Sequence, residues 1–113
     1  MAYDEHLANR LRELLADERG VTEKKMFGGL SFLVDGNMCV SASGQGGLLA
    51  RVDPKTTEKE LRRPHVSLME MGGRSMDGWL RVAPDGVATT RQLRAWVAKS
   101  LAYVRTLPRK KGA

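Results

Sequence analysis

A lone cysteine, Cys39, cannot close a disulfide within the chain, so the fold has no covalent framework and suits a reducing compartment. The two histidines, His6 and His65, are far apart, and neither has a partner at metal-ligand spacing. No carboxylate pair stands out for acid–base work, and nothing local supports a Cys39–His65 nucleophile pair. No catalytic residue, no metal and no cofactor are therefore expected. Aromatic residues make up only 5% of the chain, poor equipment for single-stranded nucleic acid, which is gripped by successive stacking rings. Helix-turn-helix, zinc-finger and ribonucleoprotein motifs are absent from the sequence. No apolar run approaches the ~20 residues of a membrane span. The N-terminus, Met1 to His6, carries acids where a secretory signal would carry cations. A cytoplasmic protein without membrane contact is expected.

What is present is an ordinary globular composition, 42% apolar and 28% charged over 113 residues. That length makes one domain with a real core. We expect the domain over residues 1–107 and a basic tail over 108–113. The net charge of +6 is unevenly placed. Residues 1–60 hold 8 Lys/Arg and 10 Asp/Glu, whereas residues 61–113 hold 11 Lys/Arg and 3 Asp/Glu. The C-terminal half should carry the positive field that draws polyanions without sequence preference.

Leu7, Leu11, Leu14 and Leu15 share one face of a first helix, expected over about 4–17, with Gly20 as its stop. Residues 23–28 read as one short strand. Strands over 30–34 and 37–41 flank Asp35-Gly36, a strong hairpin signal because a type I′ turn needs positive φ at both central residues. Phe32 and Val34 are expected on one strand face, and Met38 with Val40 on one face of its partner. Ser43 to Gly47 reads as a mobile loop before a strand over 48–52. Asp53-Pro54 opens a short helix that Pro64 ends. Strands over 66–71 and 78–82 bracket a turn over 72–77. Thr89-x-x-Gln92 is a capping box for a last helix whose inner face carries Leu93, Trp96, Val97, Val104 and Leu107. The expected fold is α+β: an antiparallel sheet of about five strands with N-terminal and C-terminal helices packed on it.

Lys24-Lys25-Met26-Phe27-Gly28-Gly29 is the segment least like an ordinary strand. Its plainest reading is a β-bulge at the two glycines with Phe27 in the core. A second is a small anion nest of glycine N–H groups beside Lys24 and Lys25. A third is a docking edge that offers backbone groups to a partner. It lacks the spacing of a P-loop. Arg51 and Arg74 are the nearby cations that could join such a contact, and Arg51 with Arg81 could line one sheet face, either as an anion-binding surface or as a solvated one. Arg91, Arg94 and Arg105 fall on the outer face of the last helix. With Arg109, Lys110 and Lys111 they are the candidate nucleic-acid contacts. Trp79 and Trp96 read as packing residues.

The chain resembles the N-terminal domain of the TfoX/Sxy family of competence regulators. The resemblance rests on Lys25-Met26-Phe27-Gly28-Gly29, Phe32, Asp35-Gly36-x-Met38 and Leu48-x-x-Arg51-Val52-Asp53. It continues through Trp79-Leu80-x-Val82-x-Pro84 and the last helix, so it covers nearly the whole chain. It implies a small α+β domain. It also implies a regulatory, non-enzymatic role linked to transcription, exercised through a protein partner. Named members carry a second, helical domain after this one. The chain ends at Ala113, which leads to the expectation of a standalone version. Nonspecific nucleic-acid binding by the basic C-terminal half is the alternative, and small-anion binding at the diglycine a second one. An open sheet edge would also suit a homodimer.

Overall fold

Asp4 caps the first helix, α1 (Glu5–Leu14): its carboxylate accepts the backbone N–H groups of His6 and Leu7 at 2.9 and 3.2 Å. In this computed structural model, which describes residues 3–26, 28–71 and 73–109, α1 is shorter than the expected 4–17. After Leu15 every residue to Gly20 is exposed, so no apolar contact holds a further turn. The sheet follows as β1 (Val21–Met26), β2 (Gly29–Val34), β3 (Asn37–Ala42) and β4 (Leu48–Arg51). A 3₁₀ turn over Pro54–Thr56 leads into α2 (Thr57–Leu61), then β5 (Val66–Met71), β6 (Arg74–Val82) and α3 (Thr90–Val104).

The strands form one antiparallel sheet in the order β1-β2-β3-β4-β6-β5. It has six strands rather than about five. All six answer to strands expected over 23–28, 30–34, 37–41, 48–52, 66–71 and 78–82, so the total of about five is one short; β1, charged and little buried, pairs along its full length with β2. Asp35 and Gly36 turn the β2–β3 hairpin with φ of 51° and 83°, the two positive values that a type I′ turn requires. The expected turn over 72–77 is tighter than that, because β6 already begins at Arg74, paired with Met71. The Ser43–Gly47 loop is closed by two backbone hydrogen bonds: Gly46 N–H donates to the Ser43 carbonyl and Ser43 N–H to the Gly47 carbonyl, each at 3.0 Å.

One side of the sheet is covered by α1 and α3. Leu7, Ala8 and Leu11 of α1 and Leu93, Trp96, Val97 and Val104 of α3 pack with Phe32, Val34, Val40, Ala50, Leu80 and Val82. Phe32 and Val34 share this side as expected, but Met38 and Val40 do not share one. The pairing steps from Phe32–Val40 to Leu33–Met38, which leaves Cys39 as the extra residue of a β-bulge. The bulge puts Cys39 in the main core beside Val40 and sends Met38 to the opposite side.

That opposite side has its own smaller core. Leu33, Met38, Leu49 and Met69 are buried there, with half-buried Met26, Met76 and Trp79 packed against them. β1, β3, β5 and β6 each supply a methionine to this cluster. Ser31 and Ser41, also buried, pair across β2 and β3 by a 3.2 Å hydroxyl hydrogen bond, and Ser41 also donates to the Leu30 carbonyl at 3.0 Å.

α3 closes the structure. Thr89 and Gln92 form the expected capping box. At the far end, Arg105 reaches Glu18 at 2.9 Å and Asp35 at 3.4 Å, and Asn37 donates to the Pro108 carbonyl at 3.0 Å. The last helix is thus tied to the loop before β1 and to the β2–β3 turn.

Candidate functional site

The two glycines of the Lys24–Gly29 segment do different jobs. Met26 pairs with Gly29 as the last rung between β1 and β2, so the chain reverses between those two residues. Gly28 supplies the positive φ of that reversal, 75°, and a Cβ there would meet nothing within 4 Å. Gly29 is buried, and a Cβ on it would run into the Ala42 carbonyl oxygen of β3. The diglycine is therefore a hairpin corner followed by a close backbone approach. It is not the expected β-bulge, since the β1–β2 register runs unbroken. Phe27, expected in the core and as a contact residue, lies outside the described residues.

This corner ends a free strand. β1 is the last strand on its side of the sheet, and Thr22 to Lys25 are all exposed. Glu23 is held by Arg12 of α1 through two hydrogen bonds, 2.7 and 2.8 Å. Those bonds hold its carboxyl below the usual range, against the upward push of burial. Both partners are about 40% exposed (43% and 39%), so the pair orients α1 on β1 more than it stabilises the fold. It also neutralises the one acid of the strand. Lys24 and Lys25 then remain as its charges, with no ion pair among the described residues.

Arg51 and Arg74 do not join them. The Arg51 guanidinium lies 4.8 Å from the Trp79 ring centre and 5.7 Å from that of Tyr103, a cation–π position between strand and helix. Arg74 sits at the start of β6, separated from β1 by three intervening strands, and lines an open cleft of about 390 Å³ with Met76, Asp77 and Trp79. Arg81, opposite Leu49 and so on the same face of the β4–β6 pair as Arg51, donates to the Ser43 hydroxyl at 3.2 Å. Of the helical arginines, Arg105 is committed to Glu18 and Asp35, whereas Arg91 and Arg94 are exposed without an ion pair among the described residues. Arg109 is exposed, and Lys110 and Lys111 lie outside the described residues.

Cys39 is fully buried, and burial pushes its thiol up to about 12, so at neutral pH it is a core residue and not a thiolate. His65 is exposed on the β5 side of the molecule. No group of three or more His, Cys, Asp or Glu that could hold a metal ion occurs among the described residues. No helix among them is long and apolar enough to cross a membrane.

One charged group escaped the sequence reading. Glu60 of α2 is only 5% exposed, yet in the sequence it stands in an ordinary charged run, Glu58-Lys59-Glu60. Lys99 of α3 donates to both its oxygens at 2.8 and 3.0 Å, and Arg63 donates at 2.6 Å. Burial pushes this carboxyl up, but the hydrogen bonds from Lys99 and Arg63 outweigh it and hold the group below the usual 4.5. Because the folded value is the lower one, the pair's stabilisation is present above 4.5 and is lost as pH falls through the folded value. Glu60→Gln should cost about 1–2 kcal/mol at pH 7, given cations that are partly exposed, and much less at pH 3. Urea unfolding at the two pH values checks this; an equal cost at both would contradict the assignment.

No curated protein and no solved structure is significantly similar to the chain. A family model, the TfoX N-terminal domain, matches residues 13–104. The match runs from the end of α1 to the last residue of α3, and so takes in the whole sheet, the diglycine corner and the free edge. The chain belongs to the TfoX N-terminal domain family.

Proposed function

We propose that this domain acts by binding rather than by catalysis: it docks an acidic, extended segment of a partner protein along the free edge of β1. The role is regulatory, linked to transcription in a bacterial cytoplasm, as the family resemblance implies. The observation that carries the reading is the state of β1. It is a six-residue edge strand whose outward charges are Lys24 and Lys25, the neighbouring acid being tied to Arg12. A free edge gives a partner backbone hydrogen bonds, and the two lysines favour an acidic sequence over a basic one. The methionine-lined cluster behind it adds a soft surface that can repack around different side chains.

Lys24→Glu with Lys25→Glu should abolish partner capture and leave the melting temperature within about 2 °C, because exposed substitutions usually change stability by less than about 0.5 kcal/mol. Affinity capture with both proteins, followed by identification of what is retained, is the test. A second copy of this chain on the same edge would appear instead as concentration-dependent self-association. Binding of nucleic acid by the basic C-terminal half would appear as retained DNA or RNA that salt releases.

A further inference from the structure

We propose that the cleft between the Pro64-His65 corner and the flank of α3 that carries Arg91, Ala95 and Lys99 binds a phosphomonoester, at a site separate from the β1 edge. The cleft holds about 290 Å³, close to the lower bound for small-ligand sites. Arg91, Trp96 and Lys99 line it from α3, and Arg63 and His65 from the segment before β5. No carboxylate lines it. Glu60 lies behind, on the α2 side, and balances one of the three permanent cations. About two positive charges therefore remain in excess, which matches a phosphate dianion.

The cations are also held in place. Glu60 fixes both Arg63 and Lys99, and the Lys99 ammonium lies 4.8 Å from the Trp96 ring centre. Arg91 has no ion pair among the described residues, so its guanidinium fork is available for bidentate contact with phosphate oxygens.

His65 supplies an independent observation. Its φ is +69°, a left-handed conformation that a glycine would adopt at lower cost. The surroundings enforce it: the His65 carbonyl accepts the Ala83 N–H at 2.8 Å, and Gly86 packs so closely that a Cβ there would lie 3.1 Å from the His65 Cβ. An imidazole is thus held at the cleft, beside three cations, at a position where the backbone alone would favour glycine. Its ring N–H is a further donor to an anion.

The test is calorimetric titration of the full chain with inorganic phosphate, AMP and adenosine at pH 7.5 and fixed ionic strength. Phosphate and AMP should bind saturably and adenosine should not. Arg91→Ala and His65→Gly should each weaken AMP on the order of tenfold. Neither change should lower the ligand-free melting temperature, since Arg91 is exposed without an ion pair among the described residues and glycine relieves the strain at position 65. Absence of saturable phosphate and AMP binding by the unaltered protein would overturn the proposal. So would unchanged affinity in either variant, or a short DNA duplex, a diester monoanion at each step, competing as well as AMP. Partner capture through β1 should be the same in both variants, which keeps this outcome distinct from that of the docking reading.

Discussion

Gly29→Ala should lower the stability of the domain by about 3 kcal/mol, while Gly28→Asn should cost less than about 1 kcal/mol. The two residues are adjacent in sequence and differ in what surrounds them. At position 28 the backbone needs positive φ but the space is open, so an asparagine, which visits that region, fits. At position 29 the added methyl group meets the Ala42 carbonyl oxygen and lies 3.0 Å from the Gly44 nitrogen. Neither neighbour is a flexible side chain; both belong to the backbone of β3 and its following loop. Relief would require β2 to move away from β3 and break the ladder that carries Phe32. Urea unfolding of the two variants measures the contrast. Equal costs at the two positions would mean that the close approach of β2 to β3 is wrong.

Phe32→Ala should cost about 3–5 kcal/mol, a large share of the ~5–15 kcal/mol that holds a domain together. Phe32 is 1% exposed and is the largest fully buried side chain among the described residues. It lies on β2 under both long helices, one residue from the bulge at Cys39. The rigid backbone of a paired central strand cannot collapse to fill the cavity. Leu33→Ala, one residue on but in the smaller methionine-rich cluster, should cost less, about 2–3 kcal/mol, because unbranched methionines can move into the gap. Equilibrium unfolding of both variants decides the ranking, and a Phe32→Ala cost below about 1 kcal/mol would remove Phe32 from the centre of the core.

The parts of the fold that were readable from sequence are those governed by local chemistry. Asp35-Gly36 demanded a particular turn, Thr89-x-x-Gln92 a particular helix start, and the leucine spacing a helix face. All depend on neighbours within a few residues. What sequence concealed depends on distant partners. The bulge at Cys39 reverses the side on which Met38 lies, and no residue type announces it; Cys39 differs little from its neighbours in hydrophobicity. The start of β6 at Arg74 follows from pairing with Met71, across a ladder that is itself interrupted between Leu68 and Glu70.

The candidate site was legible in the same uneven way. The diglycine signalled an unusual backbone, and that is where the hairpin corner lies. Its relation to Arg51 and Arg74 was not legible, because strand order decides it. With β4 and β6 adjacent, Arg51 meets Trp79 instead of the lysines. Arg105 looked like part of a basic helix face, and only the packing of α3 over the β2–β3 turn reveals that Glu18 and Asp35 occupy it. Glu60 gave no signal at all in a charged run, since its burial comes from α3.

The docking role of the β1 edge is tested most directly by side-by-side affinity capture. The unaltered protein, the Lys24→Glu plus Lys25→Glu protein and Arg91→Ala would be used with the same native extract, after circular dichroism has shown that all three are folded. The expected result is a partner retained by the unaltered protein and by Arg91→Ala and lost by the double variant. The same purified partner should protect the backbone amides of residues 21–26 from hydrogen exchange. Retention of that partner by the double variant, with no added protection along β1, would contradict the docking role of this edge.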